Sequence, residues 1–256
     1  MPTSNDSKFT VTGAAPAEAV PNDERSAAAA VQSMFSTIAP RYDLLNHLLS
    51  FNIDRLWWWR TARRFESVLR RSDTRVLDLC CGTGDMAFAL HRRAEGSGAR
   101  IFGADFAHPM LQRAMTKPNG AKLCWIEADA LHMPFPDGMF HLVTSAFGFR
   151  NLANYDAGLH EIHRVLSSGG QVGILDFGEP DGFCGQVYRL YFRHLLPALG
   201  TLISGVKGPY AYLPASVQRF PAPAEMVARM GSVGFRNVSW TPFTLGIAGL
   251  YVGRKQ

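Results

Sequence analysis

The residues best suited to do chemistry lie between positions 78 and 85, in the run Asp78-Leu-Cys-Cys-Gly82-Thr83-Gly84-Asp85. They follow a short apolar run from Arg75 and open an amphipathic stretch from Asp85 to Arg93. Glycines let the backbone bend tightly and approach a ligand closely. A helix that begins just after them offers free N–H groups and the positive end of its dipole. In open α/β sheets, ligands bind at such corners, at the carboxyl ends of the strands.

Gly82-x-Gly84-x-x-Ala87 also satisfies the nicotinamide-dinucleotide fingerprint. Two acids weigh against that reading. Asp78 lies inside the strand, and Asp85 directly follows the second glycine, where a carboxylate would oppose a pyrophosphate. S-adenosylmethionine has no phosphate and carries a cationic sulfonium and ammonium, so the acids suit it better. Asp105 ends the next strand, 21 residues after Gly84. Its two oxygens can accept both hydroxyls of a ribose. Asp129 and Ala130 follow the third strand, where a side-chain acceptor and a backbone N–H suit an adenine edge. Plainer readings stand beside these: a simple strand–turn–helix corner, a helix N-terminal acid ahead of Pro109, and a loop acid at 129.

The elements that must hold these groups alternate. Strands are expected at 75–80, 99–104, 122–126, 140–145 and 171–177, with helices at 85–93, 109–115 and 155–166, the last stopped by Gly169-Gly170. That alternation implies a parallel sheet covered on both faces. Helices are also expected at 27–37, 44–49 and 54–71, the last amphipathic and basic. A long helix over 183–204, a shorter one over 224–230 ending before Gly231, and strands at 237–243 and 247–253 complete the chain. Residues 1–25 are rich in Ala, Pro, Ser and charge without apolar periodicity, which predicts a disordered tail ahead of one domain over 26–256.

With 256 residues, 47% of them hydrophobic and 18% charged, the chain can bury one substantial core. A net charge of +5 fits an anionic ligand or surface without choosing one. Cys80, Cys81, Cys124 and Cys184 form no C-x-x-C pair, so neither a disulfide framework nor structural zinc is expected. No metal is expected elsewhere: His160-Glu-Ile-His163 lacks metalloprotease spacing and a third ligand. No secretory leader or spanning helix is evident, so a cytoplasmic setting is expected. Basic residues are dispersed, with no recognition helix or base-stacking motif, which argues against nucleic acid.

Several segments together resemble the ubiquinone/menaquinone-biosynthesis C-methyltransferase family (UbiE/MenG type). They are Met34-Phe-Ser-Thr-Ile-Ala-Pro-Arg-Tyr-Asp-Leu-Leu-Asn46, Val76 to Asp85, Pro134-Phe-Pro-Asp-Gly-Met-Phe140, Phe147-Gly-Phe-Arg-Asn151, Glu161 to Gly170 and Thr244-Leu-Gly-Ile-Ala248. The glycine loop and the segment ending in Gly169-Gly170 are common to many methyltransferases. Ile-Ala-Pro-Arg-Tyr-Asp and Phe-Gly-x-Arg-Asn are far more specific. The resemblance runs from about Ala28 to the C-terminus, and the paired cysteines resemble the menaquinone branch.

The resemblance implies a Rossmann-like class I methyltransferase fold, with a mostly parallel seven-stranded sheet and helices on both faces. A helical substrate cap would occupy 26–71 and a substrate-side insertion 183–223. It implies S-adenosylmethionine contacts at Thr83, Asp105, Asp129 and Ala130, beside the Asp78, Gly82 and Gly84 corner, with Ala146 nearby. This chain has Asp129 where many members have Asn, Ala146 where many have Ser, and Phe149 where Leu is common. The implied reaction is C-methylation of a polyprenylated quinol, demethylmenaquinol first, with benzoquinols or another small molecule as alternatives.

In that reaction Arg150 would stabilise the quinolate, and Asn151 would orient it or a water. The structural alternative is an arginine buried to pair a carboxylate and hold a loop. Candidate bases are Tyr210, Tyr212 and a water held by an aspartate. His160 and His163 read as surface or packing residues. A lipid substrate also suggests peripheral contact with an anionic membrane at its inner face, through Trp57-Trp58-Trp59-Arg60 with Arg63 and Arg64, and through Arg189 and Arg193. Those tryptophans could equally be core. A homodimer is compatible with the sequence.

Overall fold

A computed structural model describes residues 23–43, 52–180 and 209–256, together with positions 13, 19, 50 and 185. Helix α1 (Glu24–Ile38) starts earlier than expected because the Asp23 side chain accepts from the Arg25 N–H and caps it. Glu24 and Arg25 therefore belong to a helix rather than to the tail. The expected 54–71 helix divides at Phe65 into α2 (Ile53–Arg64) and α3 (Glu66–Leu69). The expected helix over 44–49, and nearly all of the one over 183–204, lie outside the described residues.

The sheet follows as β1 (Arg75–Leu79), α4 (Asp85–Ala94), β2 (Arg100–Asp105), α5 (His108–Thr116), β3 (Cys124–Glu127) and β4 (Phe140–Ala146). Next come α6 (Tyr155–Val165), β5 (Leu166–Phe177), α7 (Pro209–Arg219), α8 (Pro223–Val233), β6 (Arg236–Phe243) and β7 (Ala248–Arg254). Two boundaries differ from expectation. β5 begins directly after α6, and its register with β4 jumps between Leu166 and Gln171, so Gly169-Gly170 turn a bulge rather than stop a helix. α8 runs through Gly231 and stops at Gly234, whose φ of 115° supplies the left-handed cap.

The seven strands are ordered β3-β2-β1-β4-β5-β7-β6. The first five are parallel, and β7 inserts antiparallel between β5 and β6. One face packs against α6 and α8 through Tyr155, Leu159, Ile162, Met226 and Met230. The other packs against α2, α3 and α4 through Trp57, Phe65, Leu69, Met86 and Leu90. A third apolar cluster ties Ile38 and Ala39 to Ala107 and Met110, docking the N-terminal segment over the α5 end of the sheet. Strand order reverses between β1 and β4, which is where an α/β sheet opens a ligand crevice.

Candidate active site

That crevice is a cavity of about 360 Å³. One end is built at the glycine corner. Gly82 and Gly84 take φ of 54° and 87°, and a Cβ on Gly84 would lie 2.5 Å from the Trp125 ring. Cys80 and Phe147, at the ends of β1 and β4, also have positive φ. The two strand ends approach so closely that a Cβ on Gly148 would meet the Cys80 Cβ at 2.4 Å. Glycine at 148 in the Phe-Gly-Phe-Arg-Asn segment is thus a requirement of close approach.

Asp78 is fully buried. Its Oδ1 accepts from the Thr144 hydroxyl at 2.8 Å, while Oδ2 has no partner among the described residues. Burial pushes its carboxyl up to about 7. Asp105 accepts the Gly82 N–H at 2.8 Å on Oδ2 and the Ala107 N–H at 2.9 Å on Oδ1. Burial outweighs those bonds and raises its carboxyl to about 6. Each of its oxygens keeps a lone pair for a further donor. Asp129 is half-exposed and accepts the Leu131 N–H at 2.9 Å. Ala130 is buried, and with Ala146 it lines the cavity.

Nothing in the order of residues signals how this corner is latched. Lys117, just past α5, lies 2.9 Å from both Asp43 and Asp85 and 3.0 Å from the Thr83 hydroxyl, which also bonds Asp43. Asp85 is therefore paired with a lysine. Asp43, the acid of Arg-Tyr-Asp, clamps the N-terminal segment onto the glycine loop, and Tyr42 comes within 3.8 Å of a Cβ placed on Gly82. The signal was a motif of known specificity whose partner lies some seventy residues away.

Another stretch of the cavity wall is aromatic. Trp57, Phe147 and Phe177 pack together, with ring centroids 5.6 Å, 6.3 Å and 4.5 Å apart. The Trp57 indole N–H donates to the Thr244 hydroxyl at 2.8 Å. Arg150 lies beside this wall, its guanidinium 5.1 Å from the Phe177 centroid. Its Nη1 meets Asp176 at 2.9 Å and also the Phe147 carbonyl, while Nε is buried without a partner. The buried ion pair that sequence reading set against a catalytic role is thus present, with Asp176 as its unforeseen acid. Asn151 is adjacent, its Oδ1 also unpartnered.

Of the candidate bases, Tyr212 lines the cavity, but burial pushes its hydroxyl up to about 12. It stays protonated at neutral pH, so it suits a hydrogen-bonding role, donating or accepting, better than that of a base. The side chain of Tyr210 lies outside the described residues. His160 is exposed, and His163 packs on Phe235 with centroids 5.1 Å apart, so both are surface or packing residues.

The family model described as the ubiE/COQ5 methyltransferase family matches residues 21–255. The chain belongs to this family. It is 50% identical over 223 residues to a demethylmenaquinone methyltransferase from Thermus thermophilus, covering 86% of this chain and 99% of that one. It is 47% identical over 237 residues to a protein of the same name from Deinococcus radiodurans, covering 91% and 96%. The solved SAM-dependent methyltransferase from Aquifex aeolicus shares the fold, with a TM-score of 0.55 at 16% identity over 77% of this chain and 89% of that one.

The methyltransferase uses S-adenosylmethionine, and the site fits that cation. Among the described residues, five carboxylates line the cavity, Asp54, Asp78, Asp85, Asp105 and Asp129, against the single guanidinium of Arg150. The unpartnered Asp78 oxygen offers an acceptor of the kind an ammonium needs.

Proposed function

We propose that this methyltransferase methylates a ring carbon of a prenylated quinol, demethylmenaquinol first, giving menaquinol. The observation that carries this reading is one cavity lined both by an acidic glycine corner and by an aromatic wall flanked by Arg150. A flat, apolar ring bearing an ionisable oxygen suits the aromatic wall. When bound, S-adenosylmethionine supplies an electrophilic methyl group.

The chain's own residues divide the remaining work. Asp78 holds the cofactor's ammonium, with Gly82, Thr83 and Gly84 presenting backbone to its amino-acid end. Asp105 takes the ribose hydroxyls, and Asp129, Ala130 and Ala146 border the adenine and the methyl-bearing region. Arg150 stabilises the negative charge that develops on the quinol oxygen, while Asn151 and Tyr212 orient it. Holding the ring carbon against the methyl group removes much of the entropic barrier. The helices within 26–71 act as the substrate cap. α7 closes the other side as part of the 183–223 insertion, whose segment before 209 lies mostly outside the described residues.

The deciding assay uses methyl-labelled S-adenosylmethionine with a panel of reduced naphthoquinols and benzoquinols. Label should enter short-chain demethylmenaquinol most efficiently. Binding of S-adenosylhomocysteine without label in any quinol would remove this reading, and preference for a benzoquinol would move it to the ubiquinone branch.

A prenyl tail must leave the cavity, and the described surface suggests where. The three tryptophans have separate fates: Trp57 is core, Trp58 lines the cavity and Trp59 is 47% exposed. Leu56 and Trp59 share a face of α2 with Arg60 and Arg63, and both Arg63 and Arg93 lie over the Trp59 ring. Leu245, 76% exposed, neighbours the Thr244 bonded to Trp57. This apolar, cationic rim suits an anionic membrane surface. Arg189 and Arg193 lie outside the described residues, and among the described ones no helix is long and apolar enough to cross a membrane. The protein should co-sediment with phosphatidylglycerol vesicles, less so at high salt, and a Leu56→Asp/Leu245→Asp variant should not. Equal sedimentation of both proteins would exclude this rim.

A further inference from the structure

Three consecutive residues in the turn between β6 and β7 hold left-handed backbone: Thr244, Leu245 and Gly246 have φ of 47°, 59° and 92°. Glycine takes such angles freely, but a β-branched threonine is strained there. Strain of this kind persists only where surrounding contacts impose it, and it collects where a site needs one geometry. Two of those contacts are backbone bonds. The Gly178 N–H, just past β5, donates to the Ile247 carbonyl at 3.0 Å, and the Ile247 N–H donates to the Thr244 carbonyl at 3.1 Å. Thr244 and Ile247 both line the cavity.

What the turn presents is a hydroxyl, and its partner belongs to the aromatic wall. Thr244 Oγ1 accepts the Trp57 indole N–H at 2.8 Å. An indole has no other polar atom, so this one bond fixes the edge of the ring. A second tie runs alongside it. The Arg60 guanidinium lies 4.4 Å from the Phe243 ring centroid, and residues three apart, such as Trp57 and Arg60, share a helix face. Trp57 in turn packs on Phe147 and Phe177, with centroids 5.6 Å and 6.3 Å away, and the Arg150 guanidinium lies 5.1 Å from the Phe177 centroid. An unbroken set of contacts thus joins the strained turn to the wall and to the cation beside it.

We propose that Thr244 is a positioning residue for methyl transfer, acting through Trp57, a role that rests on the quinol reading above. Apolar packing is non-directional, so by itself it leaves an indole free to tilt. The hydroxyl fixes the tilt, because a hydrogen bond is angular. With Trp57 held, the wall sets the plane in which a flat ring lies, and so the approach of its carbon to the methyl group. The strained turn is what delivers the hydroxyl to that place.

The test is a double-mutant cycle of Thr244→Val, Trp57→Phe and the pair, with Thr244→Ser as the variant that keeps the hydroxyl. Turnover of demethylmenaquinol is measured well below the melting temperature and expressed per S-adenosylhomocysteine-binding site. Thr244→Val should lower kcat/KM for the quinol about 10–10²-fold, the size expected for a misplaced substrate. S-adenosylhomocysteine affinity should stay within about twofold, because the wall meets the quinol and not the cofactor's amino-acid end. Thr244→Ala, which also sheds the branched Cβ, should match Thr244→Val, and Thr244→Ser should stay within about threefold of the natural protein. In the Trp57→Phe background, which has no indole N–H, Thr244→Val should change kcat/KM by less than about twofold further. A purely structural role would lower the melting temperature of Thr244→Val and leave turnover per site unchanged. That result overturns the proposal while leaving the quinol reading intact. So does a Thr244→Ser deficit equal to that of Thr244→Val, or a Thr244→Val effect undiminished in the Trp57→Phe background. Failure of the natural protein to methylate any quinol removes both.

Discussion

Arg150→Met should lower quinol turnover by about 10³-fold while S-adenosylhomocysteine affinity stays within about threefold. The guanidinium stands beside the aromatic wall, and one of its nitrogens is buried without a partner. A fixed cation there stabilises charge that appears mainly as the reaction proceeds, so its loss falls on kcat rather than on cofactor binding. The same guanidinium is paired with Asp176, whose side chain is fully buried. Breaking a buried pair from one side costs about 3–5 kcal/mol, because the remaining charge is left uncompensated. Arg150→Met should therefore also melt at a lower temperature.

The two effects can be separated. Arg150→Met combined with Asp176→Asn removes the stranded charge and should recover much of the melting temperature without recovering turnover. If turnover returns together with stability, Arg150 is only a strut for the Phe147–Asn151 loop. Kinetics and thermal melts on the two variants decide the matter.

The second large effect concerns pH. Burial raises the Asp78 carboxyl to about 7 and that of Asp105 to about 6, against an ordinary aspartate value of about 3.9. A raised folded-state value means that the fold favours the protonated form. This stabilising contribution is complete below about pH 4 and is lost as pH climbs through 6 to 7. A cationic ligand has the opposite preference, since an ammonium needs Asp78 ionised. Cofactor affinity should rise about 25-fold between pH 5.5 and 7.5, with proton release on binding. Calorimetry with S-adenosylhomocysteine in buffers of different ionisation enthalpy would measure both. Asp78→Asn should flatten the profile and weaken binding about 10²-fold at pH 7.5, the size expected for a lost charge-assisted hydrogen bond. A profile unchanged by that substitution would place the ammonium elsewhere.

Much of the corner was legible before any coordinates. Asp78, Gly82, Gly84 and Asp105 belong to runs in which strand, turn and helix follow each other within a few residues, so local pattern alone orders them. The alternation of strands and helices likewise implied the parallel sheet, because each apolar strand needs cover on both faces. Where reading failed locally, a short-range bond or backbone angle decided: the Asp23 cap lengthened α1, and the bulge at Gly169 let β5 follow α6 without a loop.

What the amino-acid order could not disclose was partnership across distance. Asp43 with Lys117, Arg150 with Asp176, and Trp57 with Thr244 join positions 74, 26 and 187 residues apart, and no periodicity encodes such pairs. The same limit governed the three tryptophans. Adjacent residues on a helix point in different directions, so Trp57, Trp58 and Trp59 could be sorted only once α2 had docked. Local chemistry follows from the order of residues along the chain. Which charges are dehydrated, and against whom, follows only from packing.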